Sequence, residues 1–358
     1  MHFLIQDKSQ LLAALDKLKN NKIKKALVFV SDQTKNNFVN QYLELINTYQ
    51  IEIYGGVFPS LIYDSKPYEN GFILLGMPDI IAATILHLNL ESKELDQEIN
   101  SFKTSLKNTK TQTIFTLLSA FGTDKTIFLR NLYNNYGNTV NYFGAGCGSI
   151  REKSDIEIIS NKGYTANAGL ILALKSRLEI NYAHGWKSSK KIYKVTEYEG
   201  NEIISIDWEP AFEFYKKIVY KESGLDVNKN NFVEISKQFP FGMLRLDSEL
   251  IIRDPYAVTS RGGILVVDKI EEGEFIKIMF GNSEYLIKAA EKIAVNTSQH
   301  VLSFNCISRK LFHQNKINIE LSSIAKTNLV GAFSIGEIVN NGNSYLEMYN
   351  KIVTTAKC

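Results

Sequence analysis

Cys306 and Arg309 stand three positions apart just beyond an apolar run, and Glu337 follows a second such run between Gly336 and Ile338. These are residue types that can do chemistry. A thiol beside a guanidinium loses its proton more easily and can act as a nucleophile. A guanidinium at a strand end can bind a carboxylate through two hydrogen bonds. A carboxylate next to Gly has room to orient a polar ligand. Each also has a plainer reading. No His is placed by sequence to serve Cys306 as a base, so packing accounts better for that residue. Arg309 could equally pair with Glu320 or Glu337, and Asn350 could bond across a sheet. No catalytic residue is assigned. The ligand-binding candidates are Glu337, Arg309, Gly336, Gly331, Cys306 and Asn350. Arg253, Asp254 and Arg261 read as turn and surface residues.

The elements that must position these residues come from apolar periodicity. Val301 to Asn305 is a strand ending at Cys306, and Leu329-Val330 begins another that enters Gly331. Gly331 and Gly336 imply positive φ or a close backbone approach, and Asn340 to Ser344 reads as a polar turn. The same plan occurs earlier. Ala26 to Val30 ends at Ser31, a helix follows through Phe38, Tyr42 and Ile46, and Ile51 to Tyr54 enters Gly55-Gly56. Ile114 to Leu118 ends at Ser119, a helix follows, and Val140 to Phe143 enters Gly144. Ser31 to Gly56, Ser119 to Gly144 and Cys306 to Gly331 are each 25 positions apart, which suggests a threefold repeat with a Gly-turn ending the second strand of each copy. A first helix starts near Ser9, the expected N-cap, Ser65 to Gly71 reads as a turn, and Tyr345 to Asn350 as the closing strand.

From about residue 185 to Ile278, short strands punctuated by Gly and Pro turns change the texture, interrupted by a helix from Pro210 to Val219. A second helix is expected from Ser283 to Thr297. The predicted fold class is α/β, with repeated strand-helix-strand-strand units forming mixed sheets flanked by helices and a β-rich segment in the second half. The expected regions are 1–184 and 185–358.

The chain has 358 residues, 44% hydrophobic and 22% charged, with a net charge of +3, too balanced to point to nucleic acid. Three Cys without a CxxC argue against a disulfide framework and suggest a reducing, cytoplasmic setting. Five scattered His give no metal spacing. No apolar run reaches spanning length. Gly144-Ala145-Gly146-Cys147-Gly148 follows a strand but has G-x-G-x-G spacing and opens no helix, so it reads as a tight turn rather than a dinucleotide cradle. No cofactor is implied.

At these residues the sequence resembles the FIST family, bacterial sensory proteins with an N-terminal and a C-terminal region. Phe304-Asn305-Cys306-Ile307-Ser308-Arg309, Glu320, Gly331 through Gly336-Glu337-Ile338, and Asn350 with Thr354 match the family's tail. Gly185-Trp186, Pro210-Ala211 and Phe239-Pro240-Phe241-Gly242 resemble the start and middle of the C-terminal region, and Gly55-Gly56 and Gly144-Ala145-Gly146 the N-terminal Gly motifs. Pro59-Ser60-Leu61-Ile62 stands where the family tends to have Gly-Glu, and Ser149 where an acidic residue is common. The resemblance implies a signal-transduction role, sensing small ligands such as amino acids or related metabolites; the leading reading is a sensor without catalysis whose signal passes to a separate signalling protein. The alternatives are a small-metabolite enzyme using Cys306 or Glu337, and a ligand-free interaction scaffold.

Overall fold

Three apolar runs become the middle strands of three separate sheets. Lys25–Ser31, Thr113–Ser119 and Val301–Cys306 pair in parallel with Glu52–Phe58, Asn141–Cys147 and Leu329–Ser334 respectively. Runs this apolar suit strands covered on both faces. The structure is a computed structural model that describes residues 1–107, 109–151, 156–245, 249–295, 297, 299–340 and 345–357.

A later strand returns antiparallel beside each first strand: Phe72–Gly76, Ala168–Leu174 and Val353–Lys357. Beside each Gly-containing strand lies a strand from a different third of the chain. Ser60–Tyr63 follows Glu52–Phe58 but pairs with Leu329–Ser334. Ile158–Ser160 follows Asn141–Cys147 but pairs with Glu52–Phe58. Glu337–Asn340 follows Leu329–Ser334 but pairs with Asn141–Cys147. The exchange is cyclic, so each six-stranded sheet is completed by a strand from another third. Two of the three six-stranded sheets therefore draw strands from both sides of residue 185, while the first is built entirely from residues before it.

Inner faces of the three sheets meet on Phe29, Phe58, Phe115, Phe143 and Phe304, whose ring centroids lie 5.4–6.3 Å apart. Helices cover the outer faces: Leu11, Leu15 and Leu18 of Lys8–Asn20 on the first, Leu95 and Leu132 on the second, Leu321 and Ile324 on the third. Asp7, not Ser9, caps the first helix. Its carboxylate accepts the Gln10 N–H at 2.9 Å, and Ser9 Oγ donates to the same carboxylate. Residues 187–280 add a strand-rich, nearly closed nine-stranded sheet, crossed by the helix Ala211–Ser223.

The glycines correct the turn reading. Gly55, Gly144, Gly146 and Gly331 lie inside strands. A Cβ at Gly55, Gly144 or Gly331 would sit 1.7, 1.7 or 1.8 Å from the carbonyl oxygen of Val28, Thr116 or Ser303. What approaches these glycines is the neighbouring parallel strand. Val28 pairs with Gly55, Thr116 with Gly144 and Ser303 with Gly331, separations of 27, 28 and 28 positions. The common spacing of 25 is thus not the pairing register, and the matching glycine of the first third is Gly55 rather than Gly56.

Three smaller expectations also change. Ser65 to Gly71 contains the short strand Lys66–Tyr68. The expected strand from Tyr345 shrinks to Met348–Tyr349, and the chain closes instead with Val353–Lys357. The helix from Ser283 ends at Lys292. Residues 341–344 of the expected polar turn, and Cys358, lie outside the described residues.

Candidate functional site

Glu337 begins a strand, not a turn, and its register fixes where it points. It pairs with Ala145 on one side and Tyr349 on the other. Gly336, just before it, has φ of +89°, and a Cβ there would lie 2.8 Å from Met348 Sδ. Only Gly allows the chain to bend this closely past Met348 into the strand.

The Glu337 side chain is fully buried. Ser334 Oγ donates to Oε1 at 2.7 Å. The Cys306 thiol and the Ile352 N–H face the carboxyl group, yet among the described residues Oε2 has no partner within hydrogen-bond distance. Burial pushes the Glu337 pKa well above the carboxylate range, and the bonds from Ser334, Cys306 and Ile352 only partly oppose it. Burial thus favours the protonated form of Glu337, and one carboxyl oxygen is left without a partner among the described residues.

Cys306 ends the strand Val301–Cys306 and leads into the helix Ile307–His313. It is 2% exposed. Burial first, then Glu337, pushes its thiol up to about 12, against the pull of the Lys351 and Ser308 N–H groups. A thiol held protonated is a poor nucleophile. Iodoacetamide on the folded protein at neutral pH is expected to leave Cys306 unlabelled, with labelling only after denaturation. Rapid native labelling, mapped by peptide mass, would contradict this.

Arg309 occupies the first turn of that helix and is fully buried. Of the two partners open to it in the sequence, it takes Glu320. Nε donates to Glu320 Oε1 at 3.0 Å and Nη2 to Oε2 at 2.6 Å. Nη1 donates to Lys351 O at 2.9 Å and to His184 O, and Nη2 also to Leu286 O at 3.2 Å. All five guanidinium N–H groups are thus committed to the fold. Arg309 reaches Glu337 as a charge and not as a hydrogen-bond partner. His313 Nε2 lies 2.7 Å from Glu320 Oε2, and Asn305 Nδ2 donates to Oε1 at 3.1 Å. Despite burial, the Arg309 charge and these bonds hold Glu320 down at about 2.

The wall facing Cys306 and Glu337 is the segment Met348 to Ile352, and charged groups clamp it. Arg253 Nη1 donates to Met348 O at 3.0 Å. Asn350 Nδ2 donates to Asp268 Oδ2 at 2.9 Å, while among the described residues Asn350 Oδ1 has no partner. Lys351 Nζ lies 3.0 Å from Asp254. Arg253 is therefore buried rather than on the surface, whereas Arg261 is half-exposed and paired with Glu199 and Glu202.

The structure sets Cys306 against Glu337 beside Gly336, while Asn350, on the facing segment, bonds Asp268 and Arg309 is committed to Glu320. Gly331 serves the strand pair and contributes no group. Sequence reasoning missed Ser334 and His313. Ser334 lies three residues before Glu337, and His313 four after Arg309 on one helix face. A cleft of about 540 Å³ between Asp64–Tyr68 and the helix Ile317–Ile324 holds none of the selected residues. Among the described residues, no group of three or more His, Cys, Asp or Glu is placed to hold a metal ion, and no helix is long and apolar enough to cross a membrane.

The comparisons agree with the sequence resemblance. The FIST N domain matches residues 13–209 and the FIST C domain residues 211–340. No curated protein matches the chain. FIST domains are generally taken to be sensory domains in signal transduction. With the two domains covering most of its length in the order N then C, the chain belongs to the FIST family.

Proposed function

We propose that this chain is a non-catalytic, cytoplasmic sensor that binds a small amine-bearing ligand, an amino acid or related metabolite, at Glu337 and signals through a separate partner. The observation that carries this is the mismatch between Glu337 and its counterparts. Leu61 stands across from Ala332 and Ile158 across from Gly56, where Glu337 stands across from Ala145. We read the three thirds as copies of one unit. Two of them fill this position with a fully buried aliphatic side chain, so the fold does not call for an acid.

A buried polar group short of a partner costs about 1–3 kcal/mol. Its retention in one copy fits an interaction that the free protein lacks. An ammonium group would donate to Oε2 and stabilise the ionised carboxylate. The cluster is closed, so binding calls for a conformer in which Met348 to Ile352 moves away from Cys306 and Glu337. A ligand that prefers this conformer shifts the population towards it, which is what a sensor must do. The protonated Cys306 gives the enzyme alternative little support.

A thermal-shift screen with amino acids and central metabolites tests the assignment on wild type and Glu337→Gln. At least one compound is expected to stabilise the wild type, by about 2.7 kcal/mol at a hundredfold excess over Kd, and to leave the variant unmoved. Equal stabilisation of both proteins, or of neither, would sink it.

A further inference from the structure

The strand Ile80–His87 ends the second sheet and, among the described residues, pairs only with Ala168–Leu174. Its sequence, Ile-Ile-Ala-Ala-Thr-Ile-Leu-His, contains no Asp, Glu, Lys, Arg or Pro. Side chains are apolar in both directions. Ala83 and Ile85 pack on the central aromatic core, and Ile81 and Ala82 on the cluster under the helices. A strand apolar on both faces is typical of a sheet interior, yet among the described residues no strand lies beyond this one. Leu88 N–H bonds to Asn167 O at 2.8 Å. The alternation of an antiparallel ladder then turns the N–H and C=O groups of Ala83, Ile85 and His87 outward. Lys25 Nζ covers only the start, donating to Ile81 O at 2.9 Å and Ile80 O at 3.3 Å.

Other ends of the six-stranded sheets are guarded. His2–Ile5, Gly163–Thr165, Met348–Tyr349, Glu179–Ala183 and Lys66–Tyr68 are two to five residues long, and the last carries Lys and Pro. Shortness, charge and proline are how proteins keep an open rim from templating another strand. Ile80–His87, at eight residues, has none of these.

We propose that Ile80–His87 is a dimerisation strand, pairing antiparallel with the same strand of a second copy and joining two six-stranded sheets into one. A second copy fits this rim because the strand is compatible with itself. A two-fold axis at Thr84 or Ile85 sets Ala83 against Ile85 or His87, so outward groups meet outward groups and no charge faces its own kind. The interface is isologous and closes at two copies.

Light scattering and hydrogen exchange on the full chain test it, with Thr84→Lys and His87→Pro as variants. Lys places charge on the rim, and Pro at 87 removes an N–H that the sheet does not use. Expected are twice the chain mass for the wild type, the single mass for both variants with circular dichroism retained, and amides of Ala83 and Ile85 protected only in the dimer. If Thr84→Lys does not fold, His87→Pro decides. A wild type of single mass at every concentration would overturn the proposal. So would folded variants that stay dimeric, or rim amides that exchange freely in the dimer, which is the pattern expected if the rim is kept for an extended segment of another protein.

Discussion

Arg309→Ala is expected to destabilise the protein by about 3–5 kcal/mol, the range for removing one partner of a buried ion pair. The reason is what it leaves behind. Glu320 is fully buried between Arg309, His313 and Asn305, and without the guanidinium it loses its principal charge partner. The carbonyls of Lys351, His184 and Leu286 lose their donors in the same step. Urea denaturation at neutral pH measures the loss. Arg309→Lys is expected to recover little of it, because an ammonium cannot reproduce a planar fork with five donors. The pair also sets an acid limit. The Glu320 pKa is depressed to about 2, so its contribution is present above the ordinary 4.5 and is lost as pH falls towards 2. A change of less than about 1 kcal/mol in Arg309→Ala would mean that the cluster relaxes around the gap.

Glu337→Gln is expected to raise stability at neutral pH, and the gain should grow with pH. The folded Glu337 pKa is raised above its unfolded value of 4.5. Below 4.5 both states hold the proton and the group adds no penalty. Above it, the unfolded chain releases a proton that the folded protein keeps. Stability then falls by about 1.4 kcal/mol per pH unit until the folded group also ionises. Gln keeps the shape without the proton. The difference between variant and wild type, read from denaturation midpoints from pH 4 upwards, cancels the other titrating groups. A flat difference would remove the argument that Glu337 is a cost to the fold.

The sequence made the strands legible where they are buried on both faces. Ala26 to Val30, Ile114 to Leu118 and Val301 to Asn305 were plain because their apolar runs have strand length. The glycines misled, because Gly in a strand and Gly in a turn look alike when the neighbouring strand is unknown. The cyclic exchange was hidden for a related reason. Ser60–Tyr63 pairs with Leu329–Ser334, more than 260 residues later, and no local pattern encodes such a partner. At the site, Glu337, Cys306 and Asn350 stood out as polar residues beside apolar strands; the structure sets Cys306 against Glu337, while Asn350 bonds Asp268. Arg309 stood out equally, but its commitment to Glu320 depends on how two helices pack, which spacing alone left open. Its likeness in sequence to a ligand anchor reflects the same bidentate chemistry, used here inside the fold.

The central claim is that burial favours the protonated form of Glu337 in the free protein and leaves one carboxyl oxygen unpartnered among the described residues, in readiness for a donor that the fold does not supply. Infrared difference spectroscopy between wild type and Glu337→Gln, on ligand-free protein at neutral pH with labelled carboxyl groups, tests this most directly. The account predicts a protonated-carboxyl C=O band in the wild type that is absent from the variant. An ionised carboxylate band for Glu337 would contradict it, since the fold would then already supply the charge partner assigned to a ligand.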